Sequence, residues 1–263
     1  MKFRFFFILL FATNCKGQEW EAEIMPGVMG YNGDLTQKRF SIEQLKPAIK
    51  LNLKYNSGDF INLRFGIGYG KVGADDRNNK AADLKSRNLN FKSDILEINV
   101  IAEVGLLDPE VFTAYPYIFG GVGVFHFNPY TYDNENKKTY LRPLSTEGQG
   151  LKEYPDRKKY ALTQFCIPVG VGWKMTIKEK WDISYEFGYN ILFTDYLDDV
   201  SKTYASLNVL ATEKNSKSAE LAYRGDSPFL YEGEARGNPT IKDIYFFSGI
   251  KIATPLNNIF HKN

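Results

Sequence analysis

The chain has 263 residues, 33 basic against 31 acidic, for a net charge of +2. That balance leaves no basic patch for nucleic acid, and no apolar run approaches the roughly 20 residues a membrane helix needs. Aromatic residues make up 15% of the chain, which favours interfacial girdles over a plain soluble core.

Met1 to Gly17 reads as a secretory signal: Lys2 and Arg4 supply the charged start, and Phe5 to Thr13 the apolar segment. Cys15-Lys16-Gly17 offers small residues at the two positions that matter before a cut, leaving Gln18 first. The rival reading is a lipoprotein acylated at Cys15; it needs a small residue where Asn14 stands. After cleavage only Cys166 remains, so no disulfide framework exists.

Glu21 to Gly33 is the first strand candidate, turned by Asn32-Gly33-Asp34. Ala48 to Tyr55 alternates, with Ile49, Leu51, Leu53 and Tyr55 against Lys50, Asn52 and Lys54. Asn56-Ser57-Gly58-Asp59 makes a hairpin turn into Phe60 to Val72, where Ile61, Leu63, Phe65, Ile67 and Tyr69 oppose Asn62, Arg64 and alternate glycines. Gly73 to Lys92 is a polar loop. Ser93 to Leu106 sets Leu96, Ile98 and Val100 against Glu97, Asn99 and Glu103. Leu107 to Glu110 is a short turn, and Phe112 to Phe127 a strand whose two faces are both apolar or glycine. After a long polar loop, Asn128 to Lys159, comes Tyr160 to Ile177, with Phe165, Val171, Trp173 and Met175 on one face. Lys178-Glu179-Lys180 turns into the clearest strand of all, Trp181 to Phe193. Its odd positions are all apolar or aromatic, and its even ones polar or glycine except Leu192. Thr194 to Thr240 is the longest loop, with a short helix read at Ser218 to Arg224. Ile241 to Ile252 is the last strand.

Eight long alternating strands with aromatic rims, joined by short and long connections in strict turn, predict an all-β fold: an eight-stranded antiparallel transmembrane β-barrel. The short turns are expected in the periplasm with both termini, and the long loops outside the cell. Residues 1–17 are then a signal peptide, 18–253 the outer-membrane barrel and 254–263 a periplasmic tail. A soluble sandwich or lipocalin-like barrel also has about this many strands, but does not call for long aromatic-rimmed strands with ionised residues on the other face.

Lys50, Lys54, Arg64, Glu97, Glu103, Lys174, Asp182, Glu186, Asp243 and Lys251 fall on the polar faces. An eight-stranded barrel is about wide enough for its own side chains, so these residues are expected to pair across the lumen and close it. Arg64 is expected to meet Glu97, Glu103 or Glu186. No catalytic, cofactor or metal site is predicted. The only histidines are His126 and His261, and zinc spacing, a nucleophile elbow and a Walker loop are all missing. Asp195, Asp198, Asp199 and Asp226 do not have calcium-loop spacing and are expected to be solvated.

Several motifs then stand out together: Tyr31-Asn32-Gly33-Asp34-Leu35, Arg87 to Glu97, Phe125 to Pro129, Leu141 to Gly150, Phe193 to Ser201, and Arg236-Gly237-Asn238-Pro239. The set resembles a Bacteroidota outer-membrane barrel family, the PorG-like component of the type IX secretion system. The resemblance runs from the first strand to the last. It implies a non-enzymatic accessory role in protein transport: linking outer-membrane lipid to a periplasmic ring built from a lipoprotein and its partner protein. The other function class is a free-standing surface barrel whose loops bind an external ligand or stabilise the envelope. The loops carrying Glu147, Gly148 and Gly150, and Asp195, Tyr196, Asp198 and Asp199, are expected to fold onto each other as an ordered cap. Gly148 and Gly150 would supply positive backbone angles, and Tyr196 and Leu197 would bury apolar area.

Overall fold

The computed structural model describes residues 19–37, 42–57, 60–108, 111–177, 181–226, 228 and 231–260. The signal segment with Cys15, the new terminus Gln18, parts of the three short turns and His261 lie outside the described residues.

The strands in chain order are β1 (Glu19–Asn32), β2 (Lys46–Asn56), β3 (Ile61–Asp75), β4 (Asn90–Gly105), β5 (Ala114–Phe127), β6 (Tyr130–Tyr132), β7 (Lys138–Tyr140), β8 (Thr163–Ile177), β9 (Trp181–Leu192) and β10 (Ile244–Pro255). Eight of them are long, and each pairs antiparallel with its neighbour in the order β3-β2-β1-β10-β9-β8-β5-β4. The sheet closes where β3 meets β4, from Ile61 opposite Val104 to Asp75 opposite Asn90. The fold is therefore a closed eight-stranded antiparallel barrel, whose eight long strands each have a partner on both sides. The short β6–β7 hairpin stands beside β4 above the rim, Tyr130 opposite Lys92.

Alternation decides the faces. Phe165, Val122 and Ile98 are among the exterior side chains, exposed by 70%, 64% and 60%. Trp20, Leu51, Phe65, Trp173, Trp181 and Tyr185 continue the same apolar belt. β5, unreadable in sequence because Gly120, Gly121 and Gly123 blur its pattern, points Tyr115, Tyr117, Phe125 and Phe127 inward. Leu192, the exception to the polar face of β9, marks a boundary. Towards the termini the lumen is ionic; towards the loops it is filled by Met25, Met29, Phe91, Ile95, Phe125, Phe127 and Phe247.

The loop end is more ordered than its composition predicts. The segment read as a polar loop after β5 holds the β6–β7 hairpin. The region before β4 carries α1 (Ala82–Arg87). The longest loop carries two helices, α2 (Leu207–Glu213) and α3 (Ser216–Ala222), the second beginning two residues before the expected Ser218. At the other end, β10 runs on to Pro255 and passes into α4 (Leu256–Phe260), where a tail was expected. Leucines and tyrosines spaced among polar residues are what these loops pack with, and period-two reading has no template for them.

The barrel is narrow enough that glycine is required where a ring crosses it. A Cβ on Gly172 would lie 2.2 Å from the Tyr117 ring, whose hydroxyl donates to Glu186 at 2.7 Å and cannot retreat without losing that bond. Gly172→Ala is therefore expected to destabilise the barrel by about 1–3 kcal/mol, the usual cost of overpacking. A lowered urea midpoint with an unchanged slope would show it; an unchanged midpoint would mean the ring moves freely.

Candidate functional site

Two polar assemblies occupy the barrel, one inside and one over its mouth. The first is built by inward positions of β1, β2, β3, β4, β8, β9 and β10. Nearest the termini, Lys174 pairs with Asp182, and Lys54 with Glu21 at 2.6 Å. One layer higher, Arg64 Nη1 meets Glu103 at 2.8 Å and also pairs with Glu186, with Glu23 at 3.9 Å. Lys251 Nζ lies 2.9 Å from both Glu103 and Glu186, and 3.5 Å from Glu23. Higher still, Lys50 meets Glu97 at 3.5 Å, and the Tyr245 hydroxyl donates to Glu97 at 2.8 Å.

These partners meet the sequence expectation for Arg64 and depart from it at one residue, Asp243. Arg64 is held by Glu103 and Glu186, whereas Glu97 belongs to Lys50 one layer up. Asp243 is not a lumen residue: it lies just before β10, where it accepts from Tyr31 and from the Leu197 amide, at 3.2 and 2.9 Å. Glu21 and Glu23 are additional members. Their signal was the spacing Glu21-x-Glu23-x-Met25, hidden by the small residues that follow.

The second assembly is the cap. Gly148 and Gly150 both adopt φ of +77°, which turns the 142–151 segment so that Glu147 points into it. The Glu147 carboxylate is wholly buried. It accepts from the Ser201 and Lys202 amides at 2.9 and 3.1 Å, from the Tyr196 hydroxyl at 3.2 Å and from Arg236 at 3.1 Å. Arg236 also donates to the carbonyls of Asp199 and Ala222. Asp199, itself at φ +68°, accepts from Thr146 at 2.5 Å and from Tyr160 at 2.7 Å. Asp198 accepts from Tyr31 at 2.5 Å. Arg87 grips Asp76 with two bonds of 2.8 Å and donates to the carbonyls of Asp34 and Arg236. Asp34 in turn accepts from the Asn238 amide at 3.0 Å.

Asp195, Asp198 and Asp199 were expected to be solvated; they are 3%, 1% and 0% exposed. The reason is the cap itself, which shuts water away from all three and brings hydroxyls and an amide to Asp198 and Asp199, while among the described residues neither carboxylate oxygen of Asp195 has a hydrogen-bond partner. Burial pushes the Asp195 carboxyl up to about 7 and that of Asp199 up to about 6, and raises Asp198 strongly. Arg236, Arg87, Asp34 and Tyr31 were absent from the expected cap set. Each belongs to a motif that stood out in the sequence, and the cap is where those motifs meet.

Below the cap an aromatic ladder leads into the barrel. Tyr196 stacks on Tyr160 at 4.8 Å between centroids and Tyr160 on Phe127 at 6.0 Å. Phe127 lies 5.3 Å from Phe125, and Phe125 5.6 Å from Tyr245. Leu144, Leu197, Val200 and Leu221 from the loops belong to the same apolar cluster as the upper lumen.

His126 sits on the outer face of β5, its Nδ1 at 2.9 Å from the Thr163 hydroxyl. Among the described residues no group of three or more His, Cys, Asp or Glu is disposed to hold a metal ion.

A family model described as a domain of unknown function, DUF6089, matches residues 1–219. No curated protein matches the chain by sequence. Among solved structures it is similar to Neisserial surface protein A, at 8% identity and a TM-score of 0.45, over 91% of this chain and 99% of that one. It is also similar to Ail, the attachment invasion locus protein of Yersinia pestis, at 7% identity and a TM-score of 0.41, over 90% and 97%. A third is the outer membrane protein OprG of Pseudomonas aeruginosa, at 8% and 0.40, over 90% and 96%.

Removing Arg64 leaves Glu103 and Glu186 buried beside fewer cations. Arg64→Ala is expected to cost roughly 3–5 kcal/mol, read as a lower denaturation midpoint; an unchanged midpoint would mean the network does not carry the barrel. The cap carboxylates give a pH dependence of definite sign. Asp195 and Asp199 have folded values above the unfolded one, so the native state holds protons that the unfolded chain releases. Their contribution is complete below the ordinary aspartate range and is lost as pH rises through about 6 to 7. Carboxyl-carbon NMR titration is expected to find both groups in that interval, and the cap to loosen above it. Titration of both near 4, the ordinary aspartate value, would contradict the burial.

Proposed function

The chain belongs to the DUF6089 family, and from that premise we propose that it is a non-enzymatic outer-membrane barrel that serves as a docking element of a secretion apparatus, of the type IX kind. The observation that carries the membrane part is the exterior. A closed barrel surrounded by Leu51, Phe65, Ile98, Val122, Phe165 and Trp173 has no soluble use for so continuous an apolar belt. In this reading the capped end faces outward and both termini lie in the periplasm.

The docking part rests on the resemblance of the six motifs, five of which supply Tyr31, Asp34, Arg87, Glu147, Asp198 and Arg236 to the cap. A cap sealed by buried ion pairs is a stopper rather than a gate, so work on periplasmic partners falls to the opposite end. Leu106, Leu107, Val111 and Phe112 are exposed there beside the turn between β4 and β5. The partners are a ring-forming lipoprotein and its companion protein.

A second reading, a surface barrel that binds an external ligand, is favoured by one feature. A cleft of about 300 Å³ opens in the loops, lined by Tyr204, Tyr223, Tyr231, Arg87 and Glu234.

Photo-crosslinkers at Ser57, Leu107 and Leu256, at the terminal end, against others at Asn134 and Tyr231 in the loops, separate the readings in whole cells. Capture of ring components from the terminal-end probes alone is expected. Capture only from the loop probes would reverse the topology, and capture of ring components from none would favour the surface-barrel reading.

A further inference from the structure

One side of the loop end differs chemically from the rest. β3 and β4 run past the apolar belt, and the β6–β7 hairpin extends their wall. The outward positions change character within two residues: Tyr69 opposite Leu96, then Lys71 opposite Asp94, then Lys92 opposite Gly73. In the hairpin Tyr130 pairs with Tyr140 and Tyr132 with Lys138, so these four share a face, while Thr131 is buried on the other. Lys92 lies opposite Tyr130 and continues that face down to the barrel.

The lysines are held by rings rather than by carboxylates. Lys138 Nζ stands 3.8 Å from the Tyr130 centroid and 5.0 Å from that of Tyr140, and Lys92 Nζ 5.2 Å from Tyr132. Among the described residues neither has a carboxylate at ion-pair distance. Lys71 does, with Asp94 at 3.5 Å, and Tyr69 donates to the same carboxylate at 3.2 Å. Stacking on tyrosine orients an ammonium without neutralising it. The result is a flat wall with fixed positive charge, rooted in the apolar belt at the height where a bilayer changes from chains to headgroups. By register Phe165 of β8 lies level with Val124 of β5 and so with Ile98 of β4, in the apolar belt below the lysines.

We propose that this wall binds the phosphate groups of lipids in the leaflet that meets the loop end. Lys92 and Lys138 supply the charge, and Tyr132 and Tyr140 lie flat against the glycerol or sugar of the headgroup, as amphipathic rings do at an interface. Lys71 joins when a phosphate competes with Asp94. The lipid is then held by position as well as by charge, because the same strands present Tyr69, Ile67 and Ile98 to its chains directly below. This inference rests on the membrane reading above.

Purified protein is reconstituted into nanodiscs of phosphatidylcholine alone, or of phosphatidylcholine with a minor share of phosphatidic acid, and the lipids retained are counted by native mass spectrometry. Enrichment of phosphatidic acid around the parent protein is expected, falling as salt rises. Each lysine near an anionic surface is worth roughly fivefold, so Lys92→Ala with Lys138→Ala is expected to lower the enrichment by at least about tenfold. Lys152→Ala with Lys158→Ala, on exposed cap positions, is expected to leave it unchanged. Insertion into both bilayers with no enrichment, or equal enrichment in the two double variants, would overturn the wall while leaving the membrane reading intact. Failure to insert into either bilayer would overturn both.

Discussion

A wholly buried carboxylate is the constraint on which the loop end depends. Glu147 can be shut away from water only if donors from elsewhere in the chain surround it, and four groups do: two amides, a tyrosine hydroxyl and the guanidinium of Arg236. Those donors come from the 194–202 segment and from a residue 89 positions away. Satisfying one side chain therefore pins three segments of two loops at once. The penalty for leaving such a charge unmet is several kcal/mol, far more than any exposed loop contact returns, so the loops are held in one arrangement rather than many.

That arrangement is not a separate layer. Tyr196, which donates to Glu147, starts a run of rings that descends through Tyr160, Phe127 and Phe125 to Tyr245, and Tyr245 donates to Glu97 in the lumen. Two buried glutamates thus sit at the ends of one aromatic column. Below it, Arg64 and Lys251 share Glu103 and Glu186. The lumen is ionic below and apolar above, and the cap is the upper continuation of its apolar half.

How much of this could be read in the chain follows from how each part repeats. The barrel is written in a period of two, and the strand boundaries lie within a few residues of the alternation. Most lumen ions were legible because a charged residue between apolar ones can only face inward in a barrel. Register was not legible, and it decided that Glu97 belongs to Lys50 and not to Arg64. The cap has no period at all. Glu147 and Arg236, or Asp34 and Asn238, meet only because barrel closure brings distant strand ends together. The buried aspartates looked solvated because acid in a loop is usually solvated; closure makes them otherwise by supplying donors to Asp198 and Asp199 and shutting water away from Asp195. The glycines at 148 and 150 were the readable trace, since two closely spaced residues suited to positive φ predict an ordered turn.

The account stands on the cap and the barrel sharing one core. Hydrogen exchange, followed by mass spectrometry on the protein in micelles, measures this without altering a residue. If the core is shared, the amides of 144–151 and 194–202 exchange on the slow timescale of β4 and β9, while the hairpin tip at 134–137 exchanges rapidly. If 144–151 and 194–202 exchange as rapidly as that tip, the cap is not part of the core and the account fails.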